Sequence, residues 1–260
     1  MSRLTSPVTI GIVGLGFVGG AIRDVLADLG YQVRGYDLYR ESDSLEEVLQ
    51  SDLLFLCLPT VYSRARKEYN KTALTSTCRL LEQKGYDRPV LIKCTVEPGS
   101  TQSLSNMFPG LQLIHNPEFL TAATATQDFA DQKHVVLGFC RAVTEQSTSS
   151  VESFYAGAFP EAKVSRCSCS ESETMKIFAN SFYAVKIQFF NEMYALCKEK
   201  GMNYEVVRDM IVQNGWVNPM HTDVPGTDGQ LSYGGLCFPK DTNALLESMR
   251  RLDLPCGVLR

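Results

Sequence analysis

The 260-residue sequence contains no run of about 18 apolar residues, so nothing in it predicts a helix that crosses a bilayer. Its 25 Lys and Arg face 29 Asp and Glu and are not clustered. That mild acidity argues against broad contact with nucleic acid. Nine cysteines, an odd count at scattered spacing, do not make a disulfide framework. Cys167 and Cys169 in "CSC" have no second sulfur pair nearby, and His115, His134 and His221 lack metal-ligand spacing, so no metal is expected. Repeats and low-complexity segments are missing as well. The opening "MSRLTSPVTIGIVG" passes into a strand pattern without signal-peptide architecture. The reducing cytoplasm is the expected compartment.

What is present is an ordinary globular composition, 44% hydrophobic and 21% charged. Apolar runs at 8–14, 31–37, 53–59, 89–95, 111–117, 133–139 and 162–167 alternate with helix-length segments, including 19–29, a polar stretch reaching Gly85, and 143–157. Unbroken apolar strands separated by helices predict a mainly parallel sheet covered on both faces. Near Ser170 the character changes. "SETMKIFANSFYAVKIQFFNEMYALCKEKG" reads as one helix of about 45 Å ended by Gly201, apolar on more than one face. Helices follow at 203–214 and 240–252, with a Gly/Pro-rich loop between. The expected fold is therefore α/β: a doubly wound, Rossmann-type parallel sheet over 1–168, then an all-helical domain over 169–260 built on one long helix. The surplus apolar face of residues 171–200 predicts a homodimer.

"GLGFVG", Gly14 to Gly19, follows the first strand and opens a helix, with Asp37 closing the next strand. In that setting G-x-G-x-x-G is a dinucleotide signature. Gly14 serves the turn, Gly16 the approach of a pyrophosphate, and Gly19 the packing of helix on strand. The helix N-terminus attracts the anion. Asp37 would accept from ribose hydroxyls and favour NAD over its 2′-phosphate, although Arg40 stands close by.

"YGGLCFPKD" places Cys237 between a glycine turn and two charges. A thiol at a helix start is favoured as thiolate. Gly234 leaves room for substrate, Pro239 suits a first helical turn, and Asp241 falls one turn after Cys237. Lys176 and Asn180, also four apart, suit a developing oxyanion. Plainer readings exist: Cys237 as core filler, Lys176 as a solvated charge, Glu118 as a cap on a helix after "NP", His115 beside a sheet edge. His221 precedes the thiol in its loop, where it meets substrate in one reading.

"GLGFVG", "KCTVEPGST", "HNPEFL", "MKIFANSFYAVKIQFFNE" and "YGGLCFPKDTNAL", in this order, resemble the UDP-glucose/GDP-mannose dehydrogenase family over nearly the whole chain. The resemblance implies oxidation of a nucleotide sugar, UDP-glucose foremost, to a uronate with two NAD. Cys237 traps the aldehyde, Lys176 and Asn180 steady its oxyanion, and Asp241, Thr95 and Glu118 handle water and protons. It implies cofactor contacts at Phe17, Val18, Pro59, Thr60, Thr95 and Lys240, and substrate contacts at Glu118, Phe119, Leu120 and Tyr233. Three departures stand out. The family's further nucleotide-binding domain is expected to be absent. Thr121, Ala122 and Ala123 replace an acidic residue and glycine, and Leu236 replaces a small residue before the thiol. Two other functions stay open: a two-electron hydroxyacid dehydrogenase that needs no thiol, and a non-catalytic NAD-binding relic paired with a full-length subunit.

Overall fold

The computed structural model describes residues 8–226, 229–235 and 237–259, so the Leu236 departure lies outside the described residues. The chain divides into two compact units. One holds the described residues up to Val61 together with Tyr69–Lys176, and the other holds Tyr62–Glu68 and Ile177–Arg260.

The first unit carries β1 (Thr9–Val13), α1 (Phe17–Asp28), β2 (Gln32–Tyr36), α2 (Leu45–Val48) and β3 (Leu53–Leu56). Next in the chain comes a hairpin of two-residue strands, β4 (Tyr62–Ser63) and β5 (Glu68–Tyr69), which up to Glu68 belongs to the second unit and where the polarity of the segment predicts only helix. Lys67 turns it with a φ of 56°. Then come α3 (Thr72–Gln83), β6 (Pro89–Ile92), α4 (Ser100–Met107), β7 (Gln112–His115), α5 (Ala125–Ala130), β8 (His134–Phe139), α6 (Glu145–Ala158) and β9 (Lys163–Ser168). Seven strands form one sheet in the order β2-β1-β3-β6-β7-β8-β9. All neighbours run parallel except β7 and β8.

The inner strands β3 and β6 are apolar throughout because both faces are covered, while the edge strands β2 and β9 carry Arg34, Lys163 and Arg166. Side chains alternate across a strand, so Leu54 and Leu56 of β3 join the core under α3 and α4, while Leu53 and Phe55 join the one under α1 and α6. Each such side chain, removed from water, contributes about 1.5–3 kcal/mol. His115 is not at an edge as expected. It is fully buried in an interior strand, with Nδ1 2.8 Å from the Ser172 hydroxyl and Nε2 3.3 Å from the Cys94 carbonyl. Burial pushes its imidazole down to about 3, so it is neutral at physiological pH.

The order β2-β1-β3 reverses direction at β1, which opens a crevice at the carboxyl ends of β1 and β3. The glycine turn stands in that crevice.

α7 (Cys169–Glu199) is a 31-residue helix. The unit boundary falls inside it, after Lys176, where the sequence reading divides the chain ahead of it. The second unit continues with α8 (Tyr204–Gln213) and α9 (Phe238–Arg251). Phe190, Cys197, Tyr204 and Val224 form its buried centre. Lys186 fastens the intervening loop by donating to the carbonyls of Asn218 and Met220 (2.5 and 2.6 Å). Arg251 of α9 donates to the Lys67 carbonyl at 3.0 Å, which ties in the hairpin segment.

Candidate functional site

In the first unit, Gly14 has a φ of 93°, a left-handed conformation that disfavours side chains. A Cβ there would also stand 2.4 Å from the Cys57 carbonyl oxygen. A Cβ on Gly19 would stand 1.9 Å from the Gly14 carbonyl oxygen, so α1 packs onto the turn only without one. Gly16 differs: nothing lies within 4 Å of its would-be Cβ. Its backbone is open to an approaching group, at the N-cap of α1. Two glycines serve packing, and the middle one serves access.

The Asp37 carboxylate accepts from the N–H of Leu15 (2.7 Å) and of Tyr39 (2.9 Å). The Tyr39 bond, then the Leu15 bond and the Arg40 charge, hold its pKa below the usual carboxylate range. It is thus an ionised acceptor beside the turn. A cleft of about 900 Å³ runs along this edge, lined by Gly16, Phe17, Arg23, Arg40 and the stretch Ala122–Gln127. Ala122 and Ala123, the departure noted in the sequence, form part of its wall. Val18 is half-buried. Thr60, four residues past β3, donates to the Thr95 carbonyl after β6 at 2.7 Å, bringing two expected cofactor residues together, while Pro59 beside them is exposed. These features fit a dinucleotide: a helix N-terminus with an open backbone at Gly16, and an ionised carboxylate just past the end of the next strand.

The "NPEFL" turn follows β7. Glu118 does not cap a helix there, since α5 begins only at Ala125 and Glu118 Oε2 accepts from the Leu120 N–H at 2.6 Å. Its other oxygen lies 3.4 Å from the Lys176 ammonium. That ammonium also sits over the Phe119 ring, 5.2 Å from its centroid. Lys176 is 4% exposed, so it is no solvated helix charge. Beneath the turn lies a group the sequence reading passed over. Lys93, in the strand-like run "LIKC", is 5% exposed and donates to Asn116 Oδ1 at 3.1 Å and the Pro117 carbonyl at 3.4 Å. Tyr155 donates to the same Asn116 oxygen at 2.5 Å. Burial pulls Lys93 down to about 8. A cation inside an apolar run is the signal that marks it.

In the second unit, Cys237 is the N-cap residue of α9 and partly exposed, with its carbonyl accepting the Asp241 N–H at 3.0 Å. Gly235 before it has a φ of 75°. Gly234 has open space around it, and Tyr233 is half-buried. Asp241 is fully buried. Its carboxylate accepts from the Asn180 amide and the Lys240 ammonium, both at 2.6 Å. Asn180, expected to serve substrate, and the half-buried Lys240, expected to serve cofactor, are thus joined on the buried Asp241 carboxylate, four residues after Cys237. His221, with a φ of 66°, packs between the rings of Tyr183 and Phe238 (5.1 and 5.5 Å) next to the thiol's own segment.

Two family models match the chain. Residues 37–158 match the NAD binding domain of the UDP-glucose/GDP-mannose dehydrogenase family, and residues 170–260 its central domain. A UDP-glucose 6-dehydrogenase of Haloferax volcanii is 27% identical over 93% of the chain. A GDP-mannose 6-dehydrogenase of Pseudomonas aeruginosa is 25% identical over 94%. The chain spans 65% of the length of each of these relatives. A solved UDP-glucose dehydrogenase of Pyrobaculum islandicum superposes on all of the chain and 68% of its own with a TM-score of 0.84, at 23% identity.

Proposed function

Since the chain belongs to the UDP-glucose/GDP-mannose dehydrogenase family, we propose that it oxidises the primary alcohol of a nucleotide sugar to a carboxylate, with UDP-glucose the first candidate and NAD as the oxidant. The observation that carries the reading is the partly exposed thiol at the N-cap of α9, with an open glycine before it and a buried carboxylate one turn behind.

NAD supplies the hydride acceptor for two successive two-electron steps. The chain's own residues do the rest. The backbone at Gly16 would cradle the pyrophosphate and Asp37 would accept from the adenosine ribose. A base or ordered water takes the hydroxyl proton as the alcohol gives up its first hydride, and Cys237, favoured as thiolate by the α9 N-terminus, adds to the resulting aldehyde carbon. Lys176 and Asn180 donate to the resulting oxyanion, exchanging contacts now made to Glu118 and Asp241. Loss of the second hydride leaves a thioester, which water cleaves to the acid and the free thiol. Glu118, Thr95 and Asp241 order that water and carry its proton, Lys240 holds the Asp241 carboxylate, and Phe119, Leu120, Tyr233 and Gly234 line the sugar's path.

The test is NADH release with UDP-glucose and GDP-mannose, with mass spectrometry of acid-quenched enzyme. Two NADH per uronate and a sugar adduct on Cys237 support the reading. Full-rate turnover by Cys237→Ser would refute covalent capture and favour a two-electron dehydrogenase. NAD binding without turnover of any sugar nucleotide would favour the non-catalytic relic.

The same proposal includes a homodimer. Phe182, Phe189 and Leu196 recur every seven residues on α7 and, with Phe178, are more than half exposed. Such a stripe is the seam of a helix pair. A monomer in sedimentation at micromolar concentration would remove it. No helix among the described residues is long and apolar enough to cross a membrane, and we place the protein in the cytoplasm.

A further inference from the structure

At the far end of the sheet, β8 and β9 run parallel in register, and their last pairs are Gly138 with Cys167 and Phe139 with Ser168. The next residue of each chain is a cysteine, Cys140 just past the end of β8 and Cys169 at the start of α7, and both belong to the same buried core cluster. The strand pair just before them is about 4.8 Å apart, and a disulfide bridges Cα atoms roughly 4.4–6.8 Å apart, so the residues that follow directly on that pair start within reach of each other. Gly138 makes the approach possible. A Cβ there would stand 2.5 Å from the Ser172 Cβ and 2.9 Å from the Cys169 Cα, so only glycine lets the first turn of α7 press against β8. The Cys169 thiol donates to the Gln102 side-chain oxygen at 3.9 Å, and each of the two thiols is the other's dominant electrostatic neighbour. Both are free and nearly fully buried, at 3% and 2% exposure, yet their chain neighbours Arg141 and Ser168 are exposed. The pair therefore lies one residue below the surface.

We propose that Cys140 and Cys169 are a redox modification site, a dithiol that closes reversibly to a disulfide on exposure to peroxide. The pair is chemically asymmetric. Cys169 is the first residue of a 31-residue helix, whose N-terminus favours a thiolate. Its pKa is lowered by the Cys140 thiol, whereas that of Cys140 is raised by the Cys169 thiol and by burial. Cys169 is thus the attacking sulfur and Cys140 the resolving one. The Cys169 thiolate attacks one oxygen of hydrogen peroxide, the O–O bond breaks, and hydroxide leaves, giving a sulfenic acid. The Cys140 sulfur then attacks that of Cys169, the S–O bond breaks, and water departs with the Cys140 proton. Two thiols lose two electrons and one peroxide becomes two waters. The product staples the start of α7, the helix that carries Lys176 a few residues on, to the end of β8.

The experiment treats the whole chain with substoichiometric peroxide, blocks remaining thiols with iodoacetamide, and maps peptides without reduction. The expected result is a Cys140–Cys169 linked peptide, two hydrogens lighter than its parts and split by dithiothreitol. The thermal midpoint should rise by roughly 5–10 °C on oxidation. In Cys140→Ala, dimedone should trap Cys169 as sulfenic acid, and the midpoint should not rise. Independent alkylation of both cysteines after peroxide has visibly oxidised other thiols, Cys237 included, would overturn the proposal. So would equal dimedone capture at Cys169 in wild type and variant. Neither readout depends on dehydrogenase activity, so the outcome stands apart from the fate of the proposed function.

Discussion

Lys93 offers the sharpest physical test of the first unit. Its ammonium is buried, with the Asn116 amide oxygen and the Pro117 carbonyl as acceptors and the Phe129 ring 5.9 Å away. Desolvation lowers its pKa from 10.5 to about 8, opposed by the nearby Cys57 and Glu118 and aided by Lys176. The gap corresponds to roughly 3 kcal/mol against the charged form. The sign follows from proton counting. Below pH 8 the lysine is charged in both native and unfolded chains, and the penalty is whole. Between 8 and 10.5 the native state has released the proton while the unfolded state keeps it, so stability climbs with pH. Above 10.5 the penalty is gone. Lys93→Met removes the titration. At pH 7 the two proteins should differ little, because relief of the charge is offset by two lost hydrogen bonds, each worth roughly 1–2 kcal/mol. The informative quantity is the difference between them as pH rises. Urea unfolding followed by circular dichroism at pH 7, 8, 9 and 10 should show wild type gaining about 2–3 kcal/mol on the variant. Ionisation of other thiols and tyrosines at high pH is shared by both proteins and cancels. A flat difference, or one that falls with pH, would refute a buried, penalised ammonium.

The glycine turn separates packing from access. Gly19→Ala, with its Cβ 1.9 Å from a backbone oxygen, should lower the thermal midpoint by more than about 10 °C. Gly16→Ala should leave the midpoint within about 2 °C and weaken NAD at least tenfold by calorimetry, since its methyl enters only open space. Asp37→Ser should cut the preference for NAD over NADP by about tenfold in paired titrations, because the carboxylate that repels a 2′-phosphate is lost. Asn180→Ala strips one donor from the fully buried Asp241 and should cost roughly 2–3 kcal/mol in denaturant unfolding. A neutral outcome there would mean that water replaces the amide.

The parts legible from sequence were those where one physical demand dominates. β1, β3 and β6 are unbroken apolar runs because helices cover both faces, and no other common arrangement leaves a strand so uniform. α1 is announced by its glycine turn and α9 by Pro239 in its first turn. The hairpin at Tyr62–Tyr69 was hidden because two-residue strands are too short for alternation to register. His115 was misplaced because β8 and β9 extend the sheet past β7, a matter of strand order that no local pattern encodes. The unit boundary inside α7 was equally silent, since a helix keeps its period whichever neighbour each half packs against.

The site shows the same limit in a sharper form. Spacing puts Lys176 and Asn180 on one face of α7, and that much follows from 3.6 residues per turn. Spacing cannot say what meets them. Lys176 is held by Glu118 and Asn180 by Asp241, so each donor intended for an oxyanion rests on a carboxylate. The consequence is chemical. A buried donor without an acceptor would cost more than the fold can readily offset, so a site waiting for a negative charge holds an acceptor in its place. Under the proposed mechanism, charge developing on the substrate would have to compete with Glu118 for Lys176 and with Asp241 for Asn180. If the proposed roles hold, removing one carboxylate would free a donor and forfeit a proton carrier together. Glu118→Gln, which keeps the shape and drops the charge, should bind substrate nearly unchanged while turnover falls, a split between KM and kcat that a purely structural role for Glu118 would not produce.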